Sequence, residues 1–196
     1  MSAAAAAVIL AAGRGLRYGS DKLLAPLDGQ PLLQHVLDRA AEAGLGPVVV
    51  VLPPGAAAKE KAITWRSERR VVNPRPDQGI STSLRIGLGV LRRSFPDVRR
   101  AIVLLGDQPR LGRAQLDVLL ALTPDPGRPI AVPRYANGQP GNPVLLERAA
   151  WPLAAGLSGD RGMSQLFAER PGLVRYVHVP GTNPDVDTPR DLAALS

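Results

Sequence analysis

Short apolar runs, separated by longer stretches of helical periodicity, set the pattern of this chain. Ala7 to Leu10, Val48 to Leu52, Val71-Val72 and Ala101 to Leu105 are unbroken apolar segments of the length expected for strands buried on both faces. Between them apolar residues recur every three or four positions. Leu32, Leu33, Val36, Leu37 and Ala40 predict a helix over Pro31 to Ala43, opened by a proline in its first turn. Ile80, Leu84, Leu88, Leu91 and Phe95 predict a second helix, with Ser81 or Ser83 available as its cap. Leu116, Leu119 and Leu120 fit a third. In the second half Ile130 to Val132, Pro143 to Leu146 and Leu173 to Val179 read as shorter strands, and Thr188-Pro189 reads as the cap and first residue of a final helix. Strand and helix alternate, which predicts an α/β fold with a mainly parallel sheet and helices on both faces. No repeat or linker interrupts the pattern, so residues 1–196 read as one domain.

Composition narrows the class. A chain of 196 residues buries roughly 70% of its unfolded surface on folding. With 45% apolar and 21% charged residues it matches an ordinary globular protein. The absence of cysteine excludes disulfides, thiolate metal sites and thiol catalysis. The apolar N-terminus lacks a preceding basic region and is interrupted by Arg14, so it reads as a strand and not as a secretory signal. No apolar run approaches the ~20 residues that span a bilayer. A cytoplasmic protein without membrane contact is the expectation. The net charge of +7 rests on 24 basic residues, many in pairs such as Arg69-Arg70 and Arg92-Arg93, which suits a solvated surface or steering of an anionic substrate. Nucleic acid is not an expected partner, because no basic run is interleaved with aromatic residues.

Candidate chemistry concentrates where the first strand ends. Gly13, Gly15 and Gly19 follow Leu10-Ala11-Ala12, with Arg14, Arg17 and Lys22 among and after them. Glycines let successive backbone N–H groups turn toward one point, and three cations add fixed charge, which together suit a nucleoside triphosphate. The spacing is one residue too long for the dinucleotide fingerprint, and the Walker pattern is absent because Leu23 follows Lys22. Asp107 directly follows the apolar run Ala101 to Leu105 and Gly106, which places it at the carboxyl end of a strand, where such sheets bind ligands. Asp187 also follows a strand candidate, and Asp185 lies two residues before it as an alternative. Two carboxylates joined by phosphate oxygens and waters make a suitable Mg²⁺ site. His35, His178, Trp65 and Trp151 read as structural residues. Asp160 and Arg161 read as the cap of the next helix.

The segment L-A-A-G-x-G-x-R-x-G-x-x-K from Leu10 to Lys22 resembles the signature loop of nucleotidyltransferases built on a Rossmann-like sheet. Within them it is most similar to the molybdenum cofactor cytidylyltransferases and their MobA-like relatives. Asn73 to Ser83, Gly106-Asp107-Gln108-Pro109, Gly141-Asn142-Pro143, Gly159-Asp160-Arg161-Gly162 and Asp185 to Pro189 resemble that family's later blocks in its order, so the likeness covers nearly the whole chain. The resemblance implies a three-layer sandwich of the nucleotide-diphospho-sugar transferase type. It implies nucleotide contacts from Leu10, Ala11, Ala12, Gly13, Arg14, Gly15, Lys22, Asn73, Gly79, Ser81 and Asp107, catalytic roles for Arg17, Lys22 and Asp107, and a magnesium ion on Asp107 and Asp187.

The implied reaction transfers a nucleoside monophosphate to a phosphate on a second substrate, with release of pyrophosphate. Arg17 and Lys22 would meet charge on the β- and γ-phosphates, and Arg14 the α-phosphate. Leu-Ala-Ala-Gly, with alanine at position 12, resembles the CTP-using members; GTP use is the alternative. The implied acceptor is a molybdopterin-type phosphate, with a molybdoenzyme or its chaperone downstream, and Tyr135 to Pro143 is the candidate acceptor segment. Arg14 and Leu16 stand where the family often has other residues, which leaves other phosphorylated small molecules open as acceptors. Two readings from other classes remain open: a cofactor-binding or delivery protein, and a flavoprotein oxidoreductase on the same scaffold.

Overall fold

The computed structural model describes residues 5–13, 18, 19 and 21–195. The first apolar run forms β1 (Ala6–Leu10). A short hairpin, β2 (Pro26–Leu27) and β3 (Gln30–Pro31), turns through Asp28 and Gly29, both at positive φ, as an Asp-Gly pair favours. There follow α1 (Leu32–Glu42), β4 (Val48–Leu52), α2 (Ala57–Ala62), β5 (Arg69–Val72), α3 (Ile80–Ser94) and β6 (Arg100–Leu105). The second half adds α4 (Arg113–Leu120), β7 (Ile130–Arg134), β8 (Val144–Glu147), α5 (Gly162–Glu169), β9 (Val174–His178) and α6 (Pro189–Ala193).

Seven strands form one sheet in the order β5-β4-β1-β6-β8-β7-β9. All run parallel to one another except β8, which pairs antiparallel with both β6 and β7. Alternation along the strands divides the core into two faces. Val8, Val49, Val51 and Val103 meet Leu84, Leu88 and Leu91 of α3. Ile9, Val50, Ile102 and Leu104 meet Leu33, Val36 and Leu37 of α1 and Leu116 and Leu119 of α4 on the other side. Burial on both faces explains why the strands read as continuous apolar runs. At Gly87 a Cβ would stand 2.3 Å from the Val8 side chain, so α3 lies against β1 only because that residue is glycine.

Three local expectations are corrected. Neither Ser81 nor Ser83 caps α3: the N-cap is Gly79, and no side chain bonds there. Asp160 does not cap α5, whose N-cap is Arg161 without a side-chain bond. Asp187 is not at a strand end, since β9 stops at His178 and a loop carries the chain on to Asp187.

The structural readings of four aromatic and imidazole residues agree with their contacts. Trp151 is buried and donates its indole N–H to the Leu146 carbonyl at 3.3 Å. Trp65 packs half-buried under the Arg70 guanidinium, His35 bonds the Leu27 carbonyl at 2.8 Å, and His178 lies in β9. Among the described residues no helix is long and apolar enough to cross a membrane.

Candidate active site

The central strands β1 and β6 end side by side, and the site is built on their carboxyl ends. The Gly106 N–H donates to the Leu10 carbonyl at 3.0 Å, and a Cβ at Gly106 would press on that oxygen and on Leu33 at 3.3 Å. This close approach sets Asp107 beside the start of the glycine loop. Asp187, 80 residues later, reaches the same place by one backbone bond: the Val186 N–H donates to the Asp107 carbonyl at 3.0 Å. Val186 is fully buried with Ala25, Leu27 and Leu32, which fixes that crossing. Thr188 caps α6 as expected, its Oγ1 accepting from the Asp191 N–H at 3.3 Å, while Asp191 Oδ2 accepts from the Thr188 N–H at 2.7 Å and from the Asp187 N–H at 3.1 Å. The Asp187 carboxylate faces the other way.

Lys22 stands between the two acids. It opens a short 3-10 turn, Lys22–Leu24, anchored by buried Leu23. Its Nζ lies 2.6 Å from Asp107 Oδ2 and 2.9 Å from Asp187 Oδ1. The side chains of Lys22, Asp107 and Asp187 are 11%, 22% and 34% exposed, so the cluster is half sheltered and still open to a ligand. Burial alone would lower the pKa of Lys22, but hydrogen bonds and charges from Asp107 and Asp187 outweigh it and the value rises. Asp185, the alternative acid, is engaged elsewhere: its Oδ1 accepts from Gln108 Nε2 at 2.7 Å. Its pKa is raised, chiefly by burial and next by the charge of Asp107.

A cleft of about 450 Å³ opens over this cluster, and its wall includes Leu10, Ala12, Gly13, Pro76, Asp77 and Gly79. Gly79 is glycine for two reasons. Its φ of +97° lies in the left-handed region, and a Cβ there would come within 2.2 Å of the Gly159 backbone. The block Gly159 to Gly162 thus packs on the start of α3, and Asp160 lines the cleft. A second cavity of about 330 Å³ adjoins the first and shares Leu10, Ile80, Leu105 and Asp160 with it. Apolar side chains of Leu84, Val103, Val144, Met163 and Phe167 line it, with Asn142, Arg161 and Ser164 also on its wall.

The residues singled out from sequence separate into three groups. Leu10, Ala12, Gly13, Lys22, Gly79, Asp107 and Asp187 come together on the cleft. Ala11, Asn73 and Ser81 do not reach its surface. Asn73 is fully buried and braces the neighbouring loop, donating to Thr82 Oγ1 at 2.8 Å and Ser83 Oγ at 2.9 Å and accepting from the Arg75 N–H at 2.9 Å. Ser81 is fully buried, and its hydroxyl has no hydrogen-bond partner among the described residues. Arg14, Gly15 and Arg17 lie outside the described residues. Ile80, Ser83 and Asp160, expected only in a helix or its cap, also line the cleft, as does Asp77 from the block Asn73 to Ser83.

The donor set suits a divalent cation shared with a ligand. Two carboxylates converge on one position where a cation, the Lys22 ammonium, already sits. Among the described residues no cluster of three His, Cys, Asp or Glu could cage a metal alone. A pair of carboxylates that leaves the other positions to phosphate oxygens and water is the usual arrangement for Mg²⁺.

A family model described as the MobA-like NTP transferase domain matches residues 7–175. A probable molybdenum cofactor guanylyltransferase of Thermococcus kodakarensis is 31% identical over 137 residues, 66% of this chain and 59% of its own length. The bifunctional protein GlmU of Bordetella petrii is 36% identical over 127 residues, 64% of this chain and 27% of its own length. The chain therefore spans about three fifths of the first relative and about a quarter of the second. Among solved structures, that of Rv0371c from Mycobacterium tuberculosis superimposes with a TM-score of 0.84 at 33% identity, covering 100% of this chain and 98% of that one. The same protein has been solved in complex with manganese, with a TM-score of 0.80 to this chain.

Proposed function

We propose that this chain, which belongs to the family of MobA-like NTP transferase domains and is a nucleotidyltransferase, transfers CMP from CTP to the terminal phosphate of a molybdopterin-type acceptor. Pyrophosphate leaves. The observation that carries this reading is the convergence of Lys22, Asp107 and Asp187 on the floor of one cleft beside the glycine turn.

Each residue has a part that follows from charge. Asp107 and Asp187 would hold a magnesium ion, which supplies fixed positive charge to the phosphates of the bound triphosphate. Lys22 would present its ammonium to the β- and γ-phosphates and offset the charge that grows on the leaving group. Gly13 and Gly79 let backbone come close to the nucleotide. The acceptor phosphate attacks the α-phosphorus, and the bond from that phosphorus to the pyrophosphate oxygen breaks. A phosphomonoester has its second pKa at about 6, so at neutral pH it is already the dianion and needs no general base. The cleft fits this, since neither histidine lines it.

Ala12 on the cleft wall supports CTP as donor. The name of the Thermococcus relative favours a second reading with GTP. The cavity beside the cleft, with apolar side chains on its wall and Asn142, Asp160, Arg161 and Ser164 among them, supports an acceptor whose ring packs on apolar surface while its polar edge finds partners. The test is pyrophosphate release from CTP, GTP, ATP and UTP, each with and without molybdopterin. Release with CTP and molybdopterin together is expected. Release with GTP alone among the four would replace the donor, and tight metal-independent binding without turnover would replace the enzyme by a carrier.

A further inference from the structure

A lysine outside this chemistry is buried where a lysine should not be. Lys59 lies on α2, a six-residue helix at the molecular surface, and is 2% exposed, while Lys61 two residues on is exposed. A lysine on a surface helix ordinarily extends its ammonium into water. Lys59 instead points inward and donates to Asp21 Oδ2. Asp21 immediately precedes Lys22 and starts its 3-10 turn, with the Asp21 carbonyl accepting from the Leu24 N–H at 2.9 Å. The ammonium of Lys59 also borders a cavity of about 490 Å³ that shares Gly13, Pro76 and Asp77 with the cleft.

The geometry points to Lys59 as a positioning residue. Through Asp21 it fixes the turn that aims Lys22 between Asp107 and Asp187. The far stem of the glycine loop is held by the sheet, where the Ala11 N–H donates to the Val51 carbonyl at 2.9 Å. The other stem is held by buried Leu23 and, from α2, by the Lys59–Asp21 pair. The helix in turn is fixed by buried Ile63, whose N–H donates to the Lys59 carbonyl at 3.1 Å. Lys59 is buried whereas the Asp21 side chain is 36% exposed, so loss of the Asp21 charge leaves a buried ammonium without its counter-charge and forces the turn to move. The inference rests on the reading of Lys22 as a phosphate-binding residue only for its effect on nucleotide, not for the coupling itself.

The chain has three lysines, Lys22, Lys59 and Lys61, so their side-chain NMR signals can be assigned by substitution. In the unliganded protein, Lys59→Met is expected to shift the Lys22 signal, while Lys61→Met shifts neither of the others. Asp21→Asn reads the same pair from the other side and serves where Lys59→Met does not fold. Both variants are expected to bind CTP and GTP about tenfold more weakly, as displacement of a positioned charge implies, and Asp21→Asn to melt lower, because the buried Lys59 ammonium loses its partner. The double variant should lose little more than either single one. An unmoved Lys22 signal in a folded variant overturns the proposal. So does additive loss in the double variant, which would make Lys59 a direct ligand of the nucleotide. Failure of the native protein to bind any nucleotide would defeat the functional reading above and leave the NMR result to decide this one.

Discussion

Ionic clusters stand at both ends of the sheet, and they settle the contest between burial and pairing in opposite ways. At the cleft, two carboxylates face one ammonium at 2.6 and 2.9 Å, and pairing outweighs burial, so the pKa of Lys22 rises. At the other end, Glu147 faces two guanidiniums, Arg100 at 3.5 Å and Arg175 at 3.8 Å. There burial wins: it raises the pKa of Glu147 against both arginines and lowers that of Arg100 against Glu147. Glu147 Oε1, Arg100 Nε and both Nε and Nη2 of Arg175 lack hydrogen-bond partners among the described residues. Arg100 spends its remaining donors on the Leu119 and Leu120 carbonyls at the end of α4. The signs of charge differ too. Among the described residues the cleft cluster joins two acids to one base, whereas the rear cluster joins two bases to one acid. Close pairing beside a cleft marks a site for chemistry, and loose pairing in a closed interior marks a fastening.

That contrast makes graded predictions. Asp107→Ala should lower pyrophosphate release about a thousandfold, in line with the loss of an electrostatic group aimed at the transition state, while the melting temperature stays near native. Lys22→Met should weaken triphosphate binding roughly 10- to 100-fold, the worth of hydrogen bonds to a charged group, as calorimetry would show. The same variant should gain more thermal stability than native from added Mg²⁺, because its two carboxylates have lost their ammonium. Replacing Arg100, Glu147 and Arg175 together by Met, Leu and Met should leave activity unchanged and be neutral or stabilising by up to about 4 kcal/mol in urea unfolding. A large loss of stability there would erase the distinction between the two ends.

The smallest effect is one of pH. The folded protein holds the proton on Glu147 more tightly than the unfolded chain does, because its pKa is raised. Stability must therefore fall as pH rises from the ordinary glutamate value through the raised one, since the unfolded state binds fewer protons there. Glu147→Gln removes that contribution, so the variant should gain on the native protein over the same interval. Lys22 behaves otherwise. As a base with a raised pKa it contributes stability that is complete below its ordinary value of 10.5 and is lost only as pH rises through the raised one.

Most of the fold could be read from the chain because both-face burial leaves continuous apolar runs and single-face burial leaves helical stripes. The direction of β8 could not, since Val144-Leu145-Leu146 would be equally apolar in either orientation. Helix α2 escaped because Ala57 to Ala62 carries no apolar stripe. At the site, Asp107 was legible from its place after a buried strand. The position of Asp187 depends on the bond from Val186 N–H to the Asp107 carbonyl, which no local pattern announces. Ser81 and Asn73 read as cleft residues from their blocks. The approach of Gly159 to Gly79 and the brace from Asn73 to Thr82 and Ser83 turn both side chains inward instead. Lys59 gave no signal, for its burial is a matter of tertiary packing alone.

Lys22, Asp107 and Asp187 are proposed to hold a metal-bound triphosphate together. Calorimetric titration of CTP and GTP into the native protein and into Asp107→Ala, each with Mg²⁺ and with chelator, tests it most directly. Mg²⁺ is expected to tighten nucleotide binding to the native protein at least about tenfold, one charge-assisted contact's worth, and to do nothing for the variant. Equal affinity with and without the metal in the native protein would contradict it.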